Sequence, residues 1–309
     1  MKRFGLIGAA GYIAPRHMQA IKETGNNLEV ALDLHDSVGI LDRYHPEASF
    51  FTEIERFDRH IDKLRRRGKG LDYMSICSPN YLHDSHIRMA LRNDCDVICE
   101  KPIVLNPDNL EFLEIIEHET GKKVNNILQL RLHESIKELK KTIDPNKTYE
   151  IDLSYITSRG LWYHYSWKGD ETKSGGLATN IGIHFFDMLI WIFGDVVENK
   201  LYLSEDDAMS GHLRLERANV KWFLSCNEEY VPAASRAQGN KTFRSLQIGE
   251  DSFDFSTGFT DLHTKAYQHI LSGNGFGIAD TKPSVNLSHA IRECPVVPLD
   301  DQSHRFLKE

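Results

Sequence analysis

The sequence has few features of a secreted, membrane-spanning or disulfide-stabilised protein. Its five cysteines include no Cys-x-x-Cys pair, and reduced, buried thiols are the simplest interpretation. No apolar run approaches the length that a bilayer requires, and the short apolar start ends in glycines without a signal-peptide core or cleavage site. We therefore expect a cytoplasmic protein with no membrane partner.

The charge balance also excludes a class of partner. The net charge of −8 argues against nucleic acid as the main partner, because nucleic-acid-binding domains carry an excess of positive charge. The composition is ordinary for a globular protein, with 40% apolar and 27% charged residues. A chain of 309 residues is long enough for two domains or one large domain.

Strand and helix patterns alternate through the first 130 or so residues, which predicts βαβ units and a parallel sheet with helices on both faces. The predicted strands are residues 4–7, 28–32, 73–77, 97–99 and 124–128. The predicted helices are residues 14–24, 54–67, 83–93 and 107–120.

The pattern changes after residue 130, where neighbouring strand-like runs are joined by short polar turns. The predicted strands are residues 149–157, 198–203, 210–215, 220–226, 245–248 and 252–255, and the predicted helices are 134–142, 177–193 and 260–271. We therefore predict an α/β domain over 1–130 and an α+β domain with a mainly antiparallel sheet over 131–309.

A glycine-rich turn joins the first predicted strand to the first predicted helix. Gly8 and Gly11 are its turning points, and Ala10 stands where the strict Gly-x-Gly-x-x-Gly pattern has its second glycine. Small residues here allow the backbone, up to Tyr12 and Ile13, to approach a pyrophosphate at a helix N-terminus. By itself the turn would also fit any α/β protein.

Asp33 strengthens the nucleotide interpretation because it ends the second predicted strand of a complete βαβ unit. A carboxylate at that position accepts hydrogen bonds from the ribose hydroxyls and repels a 2′-phosphate, which favours NAD over NADP. Ser37 lies close behind as a further ribose contact. The sequence thus predicts a Rossmann-type dinucleotide-binding domain, although Asp33 would also serve as a turn residue.

Two further loops follow predicted strands of the parallel sheet. Ser78, Pro79 and Asn80 are expected to line a nicotinamide pocket with His83 nearby, although Asn80 and His83 would also cap the next helix. His83 and His86 have the spacing of metal ligands, but no third ligand accompanies them, so we expect no metal.

The second loop holds Glu100, Lys101 and Pro102 directly after a short apolar strand. Ligands bind beyond the carboxyl ends of the strands in such sheets, so Lys101 is placed to face a ligand. A solvated lysine at a strand end is the alternative.

Asn180 and His184 are four residues apart and therefore share one face of an otherwise apolar predicted helix. A polar stripe on a buried helix requires partners or a ligand. A histidine beside an asparagine and a glycine-rich entry loop is a candidate general base, although a lone buried histidine is more often a hydrogen-bonded core residue.

These motifs, in this order, resemble the glucose–fructose oxidoreductase/inositol dehydrogenase/MocA family over nearly the whole chain. The resemblance implies that Lys101 and His184 face an alcohol being oxidised, and it adds Glu100 and Gln129 to the cofactor contacts. The family pattern has aspartate where this chain has Asn180. This departure puts a Lys–Asp–His triad in doubt, because asparagine does not titrate.

Further motifs resemble one subgroup, the bacterial UDP-N-acetyl-2-amino-2-deoxyglucuronate (UDP-GlcNAcA) 3-dehydrogenases of the WlbA/WbpB type. They span residues 8–17, 128–131, 162–168, 173–176 and 258–264. The resemblance implies oxidation of the sugar C3 hydroxyl to a ketone with NAD, in the synthesis of lipopolysaccharide O-antigen sugars. It also implies a homotetramer.

The expected substrate contacts suit an anionic sugar nucleotide. Arg131, Arg159 and Lys168 supply positive charge for a carboxylate or diphosphate, and arginine binds both in a bidentate manner. Tyr163 and Trp167 offer faces for a sugar or uracil ring, although core packing is an equally good interpretation of Trp167.

We expect His184 to remove the hydroxyl proton and Lys101 to orient the hydroxyl and stabilise the developing negative charge. Lys101 would itself be the base if its site lowers its pKa. Two other functions fit the sequence: a dehydrogenase of free sugars or inositol, and a non-catalytic NAD-binding sensor. The sequence also leaves open whether NADH is released or reoxidised in place by a 2-oxo acid.

Overall fold

The computed structural model describes residues 1–253 and 261–307. Two compact units divide the chain: the first comprises Met1–Leu132 and Thr260–Lys282, and the second comprises His133–Phe259 and Pro283–Glu309, each as far as its residues are described. The predicted division at residue 130 did not assign a late segment to the first unit. Residues 254–255 of a predicted strand and 258–260 of a quoted motif lie outside the described residues.

The first unit is built on a parallel sheet, as predicted. Its strands are β1 (Arg3–Ile7), β2 (Asn27–Leu32), β3 (Ser49–Phe51), β4 (Tyr73–Ile76), β5 (Asp96–Cys99) and β6 (Val124–Asn126). Their order is β3-β2-β1-β4-β5-β6, the dinucleotide-binding arrangement. The strand β3 was not predicted, because its three residues are too few to show an alternation of apolar and polar side chains.

Helices connect these strands. They are α1 (Ala14–Glu23), α2 (Leu41–Tyr44), α3 (Ile54–Arg66), α4 (His83–Arg92) and α5 (Asp108–Thr120), with α11 (Leu262–Leu271) added from the late segment. α5 ends as predicted at Gly121, whose φ of 66° is left-handed and terminates the helix. α11 packs against α1, and its Tyr267 stacks on Phe4 of β1 with ring centroids 5.8 Å apart. This packing joins the late segment to the first unit.

The order of the sheet reverses between β1 and β4, so the loops that follow these two strands leave it side by side. Such a switch point is where open α/β sheets bind ligands. The glycine turn follows β1, and Ser78 follows β4. The two predicted cofactor loops therefore lie at this switch point.

The second unit contains a mainly antiparallel sheet, as predicted. Its strands are β7 (Tyr149–Thr157), β8 (Val196–Ser204), β9 (Ala208–Leu215), β10 (Ala218–Ser225), β11 (Thr242–Ile248) and β12 (Asp251–Phe253). The order is β12-β11-β7-β10-β9-β8, and β7 and β10 pair in parallel. Trp222 of β10 is fully buried and meets Phe186 edge to face with ring centroids 5.4 Å apart. The α/β and α+β fold classes are thus confirmed.

The helices of the second unit are α6 (Glu134–Thr142), α7 (Leu161–Tyr165), α8 (Glu171–Ser174), α9 (Ile183–Phe193), α10 (Ala233–Ala237) and α12 (Ile278–Glu293), of which α12 contains the boundary between the units. α12 was not predicted, because it contains Pro283 and has no clean apolar period. Within the predicted helix 177–193, residues Ala178–Gly182 form a π-helical turn, which was not predicted either.

One helical stretch, Glu171–Phe193, has 23 residues and is long and apolar enough to cross a membrane by length and composition. The expectation that no run reaches that length was therefore wrong. However, 72% of its most apolar window is buried inside the molecule, which is typical of a core helix.

The described cysteines are free, as the sequence suggested. Cys77, Cys95, Cys99 and Cys226 are buried. Burial raises the pKa of Cys95 to about 12, so this thiol stays protonated and unreactive at neutral pH.

Candidate active site

The glycine turn after β1 is built for close backbone approach. Gly8 has φ of 90°, and a Cβ there would lie 2.6 Å from the carbonyl carbon of Cys77. The amide of Gly11 donates to the oxygen of Gly8 at 3.0 Å, which closes the turn. The turn therefore presents backbone rather than side chains at the N-terminus of α1, which fits a bound pyrophosphate.

Asp33 lies directly against this turn. Its Oδ2 accepts from the amide of Ala10 at 2.9 Å, and its Oδ1 accepts from the amide of His35 at 2.9 Å. A carboxylate offers about four acceptor sites, so these two bonds leave capacity for ribose hydroxyls. Ser37 and Tyr12 are exposed beside it, and Ile13 is half-buried.

The loop after β4 is tied to the loop after β5 by one side chain. His83, fully buried at the start of α4, has Nδ1 2.6 Å from the carbonyl oxygen of Pro102 and Nε2 2.8 Å from that of Ser78. The hydroxyl of Ser78 contacts Nδ1 of His86 at 2.9 Å, and Asn80 is buried in the same loop. His83 is therefore not simply the helix cap that the alternative proposed.

The loop after β5 holds Glu100, which is buried, and Lys101, which is half-buried. Oε1 of Glu100 lies 2.9 Å from Nε2 of His17 and 2.9 Å from Nε2 of His263. Burial alone would raise the pKa of Glu100, but the bonds and charges of the two histidines outweigh it and hold that pKa well below its usual range. Burial lowers the pKa of His17, which favours its neutral form.

The buried hydrogen bonds of this cluster continue from His17 to Tyr267 of α11 and Ser75 of β4. Nδ1 of His17 lies 2.8 Å from the hydroxyl of Tyr267, which lies 2.6 Å from the hydroxyl of Ser75. The chain of bonds runs from α11 through α1 to the residue that precedes Lys101. Glu100 thus anchors the backbone that carries Lys101, and its place among the cofactor contacts stays a prediction.

The donor atoms of His17, Glu100 and His263 are close enough together to hold a metal ion. Each Nε2 already lies at hydrogen-bond distance from the carboxylate, so the charges are paired without one. This cluster was not predicted, because its members lie on three distant segments and no local spacing connects them.

Gln129 and Arg131 belong to a short 3₁₀ turn, Gln129–Leu132, at the end of the first sheet. Arg131 is buried, donates to the carbonyl oxygen of Asp280 at 2.8 Å and lies 5.1 Å from the ring centroid of Phe276. Both partners belong to the late segment of the first unit. Arg131 therefore joins this turn to residues 276–280.

In the second unit, Asn180 and His184 stand out on their helix. Between residues 177 and 193, they and Trp191 are the only half-exposed side chains, and the others are buried. Asn180 lies in the π-helical turn, a feature that is frequent at functional sites. The shared face that the four-residue spacing predicted is therefore accessible.

The expected substrate residues of this unit lie near one another in pairs. Nδ2 of Asn180 donates to the hydroxyl of buried Tyr163 at 2.9 Å. Nζ of Lys168 lies 4.2 Å from the ring centroid of Trp167. Burial, and then the charge of Arg159, lower the pKa of Lys168, which indicates that these two cations are close. Trp167 is half-buried, and its ring faces the ammonium of Lys168.

Comparison with known proteins assigns the family. Residues 2–127 match the model of an oxidoreductase family with an NAD-binding Rossmann fold, and residues 140–231 match its C-terminal alpha/beta domain. The chain belongs to the Gfo/Idh/MocA oxidoreductase family. The cofactor expectation, NAD, is confirmed by the first of these domains.

Solved structures of the same family resemble this chain along almost its whole length. The WlbA (WbpB) dehydrogenase from Thermus thermophilus, in complex with NAD and alpha-ketoglutarate, is 46% identical with a TM-score of 0.96, and the match covers 98% of this chain and 99% of that one. The same dehydrogenase in complex with NAD and UDP-GlcNAcA is 45% identical with a TM-score of 0.95 and the same coverage.

Among curated relatives, the glucose-6-phosphate 3-dehydrogenase of Bacillus subtilis is 26% identical over 62% of this chain and 54% of its own length. This chain thus spans about half the length of that relative. The match is consistent with the family but assigns no substrate.

Proposed function

We propose that this protein oxidises the C3 hydroxyl of UDP-GlcNAcA to a ketone with NAD. The supporting observation is the 46% identity, across nearly the full chain, to a Thermus thermophilus dehydrogenase that was crystallised with NAD and, separately, with UDP-GlcNAcA. The candidate residues Lys101, Asn180 and His184 are half-exposed within otherwise buried surroundings, as reacting groups must be.

The first unit supplies the cofactor side. The Gly8–Gly11 turn would hold the pyrophosphate, Asp33 the ribose hydroxyls, and the loop from Ser78 to Asn80 the nicotinamide. Ser37, Tyr12, Ile13 and Gln129 would complete the contacts. When bound, NAD supplies an acceptor for the hydride that leaves the alcohol carbon.

The second unit supplies the substrate side. Arg159 and Lys168 offer two cations to the diphosphate and the uronate carboxylate, which carry the negative charge of this substrate. Trp167 already binds a cation on its face and presents an aromatic surface to a sugar or uracil ring. Arg131, which belongs to the first unit, remains a proposed substrate contact.

The proton of the C3 hydroxyl needs an acceptor. His184 is proposed as the base because imidazole titrates near neutral pH and this side chain is accessible on its helix. Lys101 would donate to the same oxygen and stabilise the charge that develops there. Tyr163 holds the amide of Asn180 in place through the hydrogen bond at 2.9 Å. The meeting of Lys101 and His184 at one substrate is part of this proposal.

The test is turnover by the purified protein. UDP-GlcNAcA is mixed with NAD, with and without 2-oxoglutarate, and NADH is followed by absorbance while the sugar product is identified by NMR. We expect a 3-keto sugar in both cases. Formation of 2-hydroxyglutarate without free NADH would show that the cofactor is reoxidised in place.

Two results would contradict the proposal. Oxidation of free sugars or inositol but not of the nucleotide sugar would assign the first alternative. Tight NAD binding with no oxidation of any of these sugars would assign an NAD-binding sensor.

We also propose that the chain forms a tetramer and serves lipopolysaccharide sugar synthesis. The mass in solution and the sugar composition of a deletion strain test these two points.

A further inference from the structure

His83 has an unusual pair of partners. Its Nδ1 lies 2.6 Å from the carbonyl oxygen of Pro102, and its Nε2 lies 2.8 Å from the carbonyl oxygen of Ser78. The side chain is fully buried, so bulk solvent does not reach either contact. Both of its ring nitrogens therefore face groups that only accept hydrogen bonds.

A carbonyl oxygen has no proton to donate. A neutral imidazole carries one N–H, so it satisfies one of these contacts and points the lone pair of its other nitrogen at an oxygen. An imidazolium donates at both nitrogens. We propose that His83 is held as a doubly protonated cation that clamps the loop after β4 to the loop after β5 and thereby positions Lys101.

The charged groups that act on His83 come from the same two loops and from its own helix. Burial is the largest effect on His83 and, with the charge of Lys101, leaves its pKa lowered, although the two carbonyls and the charge of Glu100 raise it. His86 is the other titratable ring on this part of α4. The proposed charge of His83 rests instead on the contact geometry, because removing either ring proton leaves two lone pairs facing each other at less than 3 Å. Two charge-assisted bonds and a nearby carboxylate compensate for the buried charge.

The position of the clamp gives it a role in the proposed reaction. Pro102 directly follows Lys101, and Ser78 begins the loop proposed for the nicotinamide. The two bonds therefore fix the distance between the backbone that carries Lys101 and the backbone that would line the cofactor. Small displacements of reacting groups cost large factors in rate. This role rests on the proposed function, whereas the protonation state of His83 does not.

The decisive measurement concerns the wild-type ring itself. Protein labelled with 15N in its histidine side chains is studied by NMR at neutral pH, and the His83 signals are identified by their loss in His83→Gln. We expect two protonated nitrogens for His83. His45, also buried but with a single carbonyl partner, Met18 at 3.0 Å, provides an internal comparison and should show one protonated nitrogen. One unprotonated nitrogen in His83 would overturn the proposal, whatever the substrate proves to be.

Kinetic measurements then distinguish a role of His83 in positioning Lys101 from a purely stabilising role. Glutamine at position 83 keeps one donor and loses the charge, so His83→Gln should lower kcat by about tenfold or more while the Kd for NAD changes less. Wild-type activity should show an alkaline limb as His83 loses its second proton, in addition to any loss that deprotonation of Lys101 causes, and the His83 limb should be absent in His83→Gln. His45→Gln is the matched control and should retain both kcat and the limb. Equal loss of kcat in the two variants, or an unchanged pH profile in His83→Gln, would refute the positioning role.

Discussion

Oε1 of Glu100 and Nε2 of His263 lie 2.9 Å apart although 163 positions separate the two residues in the chain. The bond ties α11, which lies in sequence between the two segments of the second unit, to the residue that precedes Lys101. His17 of α1 binds the same oxygen. The loop that carries the proposed catalytic lysine is thus fastened from two sides by buried, charge-assisted hydrogen bonds.

Replacing Glu100 by glutamine should destabilise the protein by about 2–4 kcal/mol, because two buried histidines then face a neutral amide in place of a carboxylate. Since the folded pKa of Glu100 is lowered, its contribution is fully present above the usual glutamate value of 4.5 and is lost as pH falls towards the folded value. Urea unfolding of wild type and Glu100→Gln from neutral to acidic pH measures this. The difference should shrink below pH 4.5, and exposed Glu111→Gln should show little difference at any pH. A pH-independent difference would contradict the assignment.

His86 should make a second, separate contribution to acid sensitivity. Burial, and then the charge of His83, lower its pKa from 6.5 to about 4. The unfolded chain therefore binds more protons between these values, and about 3 kcal/mol of stability that is present above pH 6.5 is lost by pH 4. Unfolding free energies of His86→Gln should fall less over this range than those of the wild type. Parallel curves would show that His86 titrates normally.

Lys101→Ala and His184→Asn should each lower kcat by about a hundredfold or more, because one removes the proposed donor to the reacting oxygen and the other removes the proposed base. NAD affinity, measured by fluorescence titration, should stay within a few-fold. Lys69→Ala and His118→Asn, at exposed positions, are matched controls and should keep wild-type turnover. Near-normal turnover in both active-site variants would remove these residues from the mechanism.

The bond between Asn180 and Tyr163 predicts energetic coupling in catalysis. If Tyr163 acts by holding the Asn180 amide, then Tyr163→Phe and Asn180→Ala should lower kcat/KM non-additively, with a coupling of about 1 kcal/mol. The double-mutant cycle with UDP-GlcNAcA measures it. Strictly additive effects would show that the two side chains act independently. Circular dichroism of each variant checks that the helix remains formed.

Asp33 should determine the choice of cofactor. In Asp33→Asn the negative charge that repels a 2′-phosphate is lost, and the amide nitrogen is no longer able to accept from Ala10 or His35. The KM for NAD should rise by about tenfold, and the preference for NAD over NADP should fall. Asp42→Asn, an exposed neighbour, should leave both values unchanged. An unaltered NAD/NADP ratio in Asp33→Asn would contradict the ribose role.

Much of the fold is local in origin and could be predicted from the sequence. Alternating apolar strands and helices over the first 130 residues, with glycines such as Gly121 at helix ends, determined the parallel sheet. The four-residue spacing of Asn180 and His184 determined a shared helix face. These signals are readable because helices and strands impose fixed periods on neighbouring residues.

Other features needed the tertiary structure because they join residues that no local pattern connects. The bonds of Glu100 to His17 and His263, the return of α11 to the first unit, and the position of Arg131 against Asp280 are of this kind. The bonds of His83 to the carbonyl oxygens of Ser78 and Pro102 are a further example. The sequence by itself therefore determined the fold classes and proposed Lys101 and His184 as the reacting residues. Only the tertiary structure decided which buried side chains hydrogen-bond to one another near Lys101. The reason is that hydrogen-bond partners in a core are set by packing and not by order along the chain.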